Sequence, residues 1–205
     1  MSEGKVAVEL GLREQKKRQT RLALCVAARR LTLERGLDAT TAEDVAKAVG
    51  VSPRTFFNYY ETKLDAVVGP VGEIGTPDTR EQFVAGGPTG VLIDDLTWLY
   101  ASGYEPDNEV RESVSLVAEI IKQESRVLAA FVAAGARYEE AVGELLSARM
   151  GSAVSTQFAA LTAHLMSALS TRAAMSLADN PDRSLAEALH DQCDLAARLF
   201  DSGRQ

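Results

Sequence analysis

The stretch TAEDVAKAVGVSPRTFFNYY, residues 41–60, decides how this chain is read. Thr41 followed three positions later by Asp44 has the form of a capping box, with Asp in place of the more usual Glu, and the acids suit the positive end of a helix dipole. The helix so opened carries Val45, Ala46 and Val49 and stops at Gly50 after about two turns. Ser52 then caps a second helix, with Pro53 at the first position, where a missing N–H costs nothing. Two short helices joined by a tight turn are the layout of a helix-turn-helix, whose second helix enters the major groove of DNA with its N-terminal residues at the base edges. Phe56 and Tyr60, four apart, face inward with Val45, Val49 and Val51. Arg54, Thr55, Phe57, Asn58 and Tyr59 are left on the outer side. Arg bonds guanine bidentately, Asn reads adenine, and Phe packs on a thymine methyl. Four of the chain's 12 aromatic residues fall in positions 56–60, and a small domain cannot readily bury both faces of so short a helix.

Outward from this stretch, residues 12–35 contain no Gly or Pro and read as a long first helix that Gly36 stops. Leu24, Ala27, Ala28 and Leu31 follow helical spacing and form its buried stripe, with Cys25 beside it as a small hydrophobe. A further short helix is expected over 62–68. Lys63 at its start can hold a phosphate together with the free N–H groups there. The net charge of -7 hides a division: residues 1–69 hold 12 Lys/Arg against 9 Asp/Glu, whereas 70–205 hold 10 against 20. Arg13, Lys16, Lys17, Arg18 and Arg21 crowd together with Glu14 as the one acid among them, either a DNA-directed cluster or a solvated arm.

Residues from about 19 to 66, roughly a quarter of the chain, resemble the DNA-binding domain of the TetR family of bacterial transcriptional regulators. The matching text is Leu24-x-x-Ala27-Ala28-x-x-Leu31, Arg35-Gly36-Leu37-x-x-Thr40-Thr41, Val45-Ala46, the run from Gly50 to Tyr60, and Lys63. Thr32 departs from the large apolar residue common there, and its hydroxyl is expected to bond back into its own helix. The resemblance implies that Thr40, Thr41, Ser52, Pro53, Arg54, Thr55, Phe57, Asn58, Tyr59 and Lys63 form the DNA-binding surface. Arg54, Phe57 and Asn58 would meet base edges; Thr55, Tyr59 and Lys63 would meet phosphate or sugar. It also implies a homodimer with recognition helices about one DNA turn apart, ~34–36 Å, on a near-palindromic operator.

Residues 70–88 are rich in Gly and Pro and read as a flexible connector, with at most a helical turn at 80–84. Helices are expected beyond it over 89–102, 108–123, 125–150, 152–178 and 184–201, the last opened by a Ser184–Glu187 capping box. No strand pattern and no internal repeat is present. The expected fold is therefore all-α: an N-terminal three-helix helix-turn-helix DNA-binding domain over 12–69 and a C-terminal helical ligand-binding and dimerisation domain over 70–205. The family resemblance assigns the last two helices to a dimer interface, with Phe158, Leu161, Leu165, Leu195 and Leu199 supplying apolar area. The stripe of Ala159, Ala160, Ala163, Ala168, Ala173 and Ala174 permits close helix contact, in the dimer or in the monomer core. Trp98, Tyr100, Tyr104, Phe131 and Tyr138 are candidate contacts for an apolar or amphiphilic effector, with core packing as the alternative for each. Asp94, Asp95 and Glu119 face either a cationic ligand or solvent.

Other function classes find little material. The 46% hydrophobic content supports an ordinary core, and the longest nearly apolar run, 127–136, is too short to span a bilayer. Two isolated cysteines make neither a disulfide framework nor a zinc site. Glu187-x-x-His190 is half of a di-iron signature, but His164 has Leu161 at the equivalent offset. The expectation is a cytoplasmic, ligand-responsive regulator, with no enzymatic activity, metal or cofactor and no membrane partner. Its partners would be double-stranded operator DNA, a small-molecule effector and a second copy. The contrasting class is a helical small-molecule-binding protein that keeps the helix-turn-helix only as scaffold.

Overall fold

The computed structural model describes residues 3–70, 74–102, 107–177, 180 and 183–201, and among these the side chains of all but 3–12, 14, 107–111 and 199–201. Every regular element in the described residues is a helix: α1 (Glu3–Arg35), α2 (Ala42–Val49), α3 (Pro53–Phe57), α4 (Lys63–Val68), α5 (Pro77–Val84), α6 (Leu92–Ser102), α7 (Asp107–Gln123), α8 (Ser125–Met150), α9 (Thr156–Ser176) and α10 (Leu185–Asp201). Their starts follow local chemistry. Thr41 and Thr62 each close a capping box with the Asp three residues on, and Ser52 accepts from the Thr55 N–H. Gly50 ends α2 in the left-handed conformation, at φ 76°, which a side chain would strain.

Two expectations about the elements change. The first helix does not begin at residue 12 but at Glu3, running through Gly4 and Gly11. A glycine inside a helix costs only ~1 kcal/mol against alanine and does not break it. The stretch 70–88 is not a featureless connector: Thr76 caps α5, and Ile74 and Phe83 are core residues.

The chain divides into two compact units, the first comprising residues 1–70 and 116–130, the second 71–115 and 131–205. A linear division at residue 69 therefore leaves out the α7–α8 junction, which packs in unit 1. There Ile120 and Val127 join Leu24, Cys25, Ala28, Val45, Phe56 and Tyr60 in one buried cluster. Arg126 adds a polar tie, donating to Asp38 at 2.8 Å and to Glu124 at 2.8 Å. The Arg126 bond and charge hold the Asp38 carboxyl below the usual carboxylate range.

Unit 2 packs α5, α6, α9 and α10 with the C-terminal half of α8 around Tyr100, Leu99, Phe83, Leu146, Met166 and Leu189. Its polar centre is Asp95, placed by sequence at a ligand or solvent face but fully buried in the fold. The Asp95 carboxylate accepts from the Thr89 N–H at 2.7 Å, the Thr89 hydroxyl at 2.8 Å, the Gly90 N–H at 3.1 Å and Arg149 at 2.5 Å. Arg149 also donates to the Phe83 carbonyl at 2.7 Å and lies over the Phe83 ring. A buried carboxylate thus meets four donors, so helix α6 begins from a built polar anchor.

Candidate nucleic-acid interface

Unit 1 presents α3 as a short rod with two unlike faces. Phe56 is fully buried and Tyr60 nearly so, with ring centroids 6.0 Å apart. Arg54, Phe57 and Asn58 are exposed, Phe57 at 53%. An aromatic ring that exposed in a helix of five residues gains nothing from folding by itself, and its edge-on contact with Phe56, 5.3 Å between centroids, fixes its direction. Ser52 and Pro53 are exposed at the helix start, and the Ser52 and Thr55 hydroxyls share a 2.8 Å hydrogen bond. Tyr59 is half-buried against the unit 1 cluster.

Three of the expected surface residues need correction or detail. Thr40 is fully buried and its hydroxyl donates to the Gly36 carbonyl at 2.9 Å, so its side chain does not belong to the DNA-facing surface. That hydroxyl is spent closing the turn after α1. Thr41 remains exposed, its oxygen accepting from the Asp44 N–H while its proton goes to the Asp44 carboxylate. Lys63 sends its ammonium to the carbonyls of Thr40, 2.8 Å away, and Asp38, 3.2 Å away. An ammonium has three protons, which leaves one for a phosphate. Thr32 also differs from expectation: it is buried, and its hydroxyl has no hydrogen-bond partner rather than a bond into its own helix.

Sequence reasoning missed Arg29. It is buried on α1 and donates to the carbonyls of Val67 and Val68, both at 2.7 Å, satisfying the last turn of α4. Gly69 follows at φ 97°, where a Cβ would stand 2.8 Å from the Arg29 guanidinium and 3.2 Å from the Cys25 sulfur. Lys63 at one end and Arg29 at the other therefore fasten α4 to unit 1. Four hydrogen bonds thus tie the two ends of α4 to α1 and to the turn that follows it. Arg29 four residues after Cys25 carried no periodic signal; a lone Arg on an apolar stripe was the clue available.

Of the candidate effector residues that are described, none lines the cleft found in unit 2. Tyr100 is buried against Tyr138, centroids 6.1 Å apart, and Trp98 packs on the same core, so these three are core residues. Phe131 is 42% exposed on α8, and Tyr104 lies outside the described residues. A cleft of about 290 Å³ in unit 2 is lined instead by Ile74, Arg80, Ala141, Glu144, Leu145 and Ala148. Of the candidate dimer residues, Phe158, Leu161 and Leu195 are exposed and Leu165 is half-buried, while the Leu199 side chain lies outside the described ones. Ala163, Ala173 and Ala174 from the small-residue stripe are absorbed by the unit 2 core, and Ala159 is buried as well. His164 and His190 are exposed beside single carboxylates, Glu139 and Asp194. No described helix is long and apolar enough to cross a membrane.

Two capped short helices that hold Arg54, Phe57 and Asn58 outward on the second have the layout of a helix-turn-helix. Residues 24–65 match the family described as bacterial regulatory proteins, tetR family. It is also similar to the HTH-type transcriptional regulator TcmR of Streptomyces glaucescens, 42% identical over 64 residues. That alignment covers 31% of this chain and 28% of the relative, so the chain spans little more than a quarter of TcmR. Among solved structures it is similar to Thermus thermophilus FadR, a TetR family transcriptional repressor in complex with lauroyl-CoA. There the identity is 25% and the TM-score 0.46, over 85% of this chain and 92% of that one.

Proposed function

We propose that this protein is a homodimeric transcriptional repressor that binds a near-palindromic operator and is released from it by a small apolar or amphiphilic effector. The observation that carries this reading is the exposure of Arg54, Phe57 and Asn58 on a helix anchored from behind by Phe56 and Tyr60. An exposed Phe57 is a poor solvent residue, and beside Arg54 and Asn58 it completes a set suited to a groove. Thr41, Ser52, Pro53, Thr55, Tyr59 and the remaining proton of Lys63 position the backbone around them. A mobility-shift titration with DNA from upstream of the gene and its neighbours, against scrambled competitor, tests it. Arg54→Ala is expected to cost ~1–3 kcal/mol on the operator, roughly 5- to 150-fold, and little on random DNA. Equal losses on both would make Arg54 a phosphate contact. Only weak binding to every DNA tried, with the same salt sensitivity throughout, would favour the small-molecule-binding alternative.

Dimerisation is supported by the second face of α9. Phe158, Leu161, Leu165 and Ala168 recur at three- and four-residue steps on the side opposite its buried residues, and Met175 follows seven positions on, beyond Arg172. Leu161 is 65% exposed and Met175 58%, and Leu195 of α10 adds to the unburied apolar surface of unit 2. Leu161→Glu is expected to weaken self-association by about 2 kcal/mol or more, roughly 30-fold, in sedimentation equilibrium. An unchanged dimer would move the interface elsewhere.

For the effector we assign the cleft between α5 and α8, where Ile74, Ala141, Leu145 and Ala148 give an apolar floor and Arg80 and Glu144 charged edges. An effector releases operator only if it binds the DNA-incompetent arrangement better than the competent one. With α4 fastened to unit 1, the elements available to carry that bias are α7 and α8, whose junction packs beside the recognition domain's own core.

A further inference from the structure

We infer that the N-terminal part of α1 is a second DNA contact, a rigid basic edge that grips phosphates flanking the half-site read by α3. This rests on the DNA-binding reading above and deepens it. The first observation is register. Arg13, Lys17 and Thr20 continue at four- and three-residue steps into Leu24, Ala28 and Leu31, so they share one face of one unbroken helix. Lys16 stands beside them. From Leu24 onward that face is apolar and packs into the core under α2 and α3. Before it, the same face is basic, and Arg13, Lys16 and Lys17 are exposed. The stripe turned toward the recognition domain therefore changes from apolar to cationic where the core ends.

The second observation fixes where the edge begins. The Tyr60 hydroxyl donates to the Arg21 carbonyl at 3.0 Å, and the Arg21 guanidinium lies 5.8 Å from the Tyr60 ring centroid. Tyr60 comes just after α3, so the root of the basic segment is tied to the segment that follows the recognition helix. From Arg21 back to Arg13 the helix rises ~12 Å. That matches the axial length of about three to four base pairs, along which duplex DNA presents one phosphate charge per ~1.7 Å. A helix already formed holds its cations in place and loses less entropy on binding than a loose tail.

The test uses the full chain with Arg13→Gln, Lys16→Gln and Lys17→Gln combined, titrated on the shifted upstream fragment and on random duplex DNA. Three lost phosphate contacts should flatten the slope of log K against log salt by about 2.7 on both DNAs. The affinity deficit of the variant should then shrink by about 40-fold between 50 and 200 mM salt. Trimming the DNA flanks should erase the wild-type advantage, and exchanging Lys for Arg at 16 and 17 and Arg for Lys at 13 should preserve it. An unchanged slope on both DNAs, with helicity intact by circular dichroism, would overturn the inference. So would a slope change that flank length does not affect. Random duplex DNA keeps the two readings separate: failure of wild type to prefer any upstream fragment overturns the operator reading, while the slope on random DNA still decides the basic edge.

Discussion

Asp95→Ala is expected to remove about 3–5 kcal/mol of stability from unit 2, because it strands Arg149 in the interior without its counter-charge. The side chains are nearly inaccessible, at 9% for Arg149 and 0% for Asp95, so water cannot replace the lost partner. Three further donors, the Thr89 N–H and hydroxyl and the Gly90 N–H, would lose their acceptor at the same time. Asp95→Asn should cost less, since an amide oxygen still accepts from Thr89. Asp95→Leu with Arg149→Met should recover much of the loss, because an apolar pair leaves no charge uncompensated. Urea unfolding followed by the fluorescence of Trp98, the single tryptophan and a neighbour of this core, reads the effect directly. A loss below 1 kcal/mol would show that the pair is hydrated in solution.

The same site sets an acid dependence. Burial alone would raise the Asp95 carboxyl, but hydrogen bonds from Thr89 and the bond and charge of Arg149 outweigh it and hold the group below its ordinary value. A depressed folded-state pKa stabilises the fold above the unfolded value of ~3.9, and that stabilisation is lost as pH falls through the folded value. Unit 2 should therefore lose stability below about pH 4, and Asp95→Asn should reduce that acid sensitivity.

Phe56→Ala is the second large effect, expected at about 3–5 kcal/mol on unit 1 and accompanied by loss of operator binding. A helix of five residues has no independent stability, since nucleation costs more than so few hydrogen bonds return. Phe56, fully buried among Val45, Ala46 and Tyr60, is what holds α3 in place. The amides of Tyr59 and Tyr60 both donate to the Phe56 carbonyl, so their hydrogen exchange should accelerate with the loss of the anchor. Phe57→Ala on the same helix provides the contrast: little change in stability, a clear loss on DNA. If Phe57→Ala were the more destabilising of the two, the inward and outward assignments would have to be exchanged.

The recognition domain was legible because its chemistry is local. Thr41 with Asp44, Gly50, and Ser52 with Pro53 each determine a boundary through contacts a few residues apart, and the structure repeats those boundaries. The four-residue step from Phe56 to Tyr60 likewise sorts the inner face from the outer. The misread elements are those whose stability comes from elsewhere. Gly4 and Gly11 look like breakers, yet they sit within α1. The Gly/Pro-rich stretch looks loose, yet Ile74 and Phe83 are drawn into a core built by later helices.

The candidate site divides in the same way. Which residue types stand on α3, and on which side, follows from sequence because helical periodicity is a property of the backbone. That Lys63 spends two protons on Asp38 and Thr40 and that Arg29 caps α4 are decided by partners 23 to 39 positions away. Asp95 and Arg149 lie 54 apart, and two charges at that separation carry no pattern a window of sequence can show. The sequence by itself determined the helices, the capped recognition motif and the division of charge. Tertiary structure alone decided which polar groups were consumed in holding those helices together and which remained for a ligand. Hydrogen bonds and ion pairs depend on distance in space, and the chain sets that distance only once it has folded.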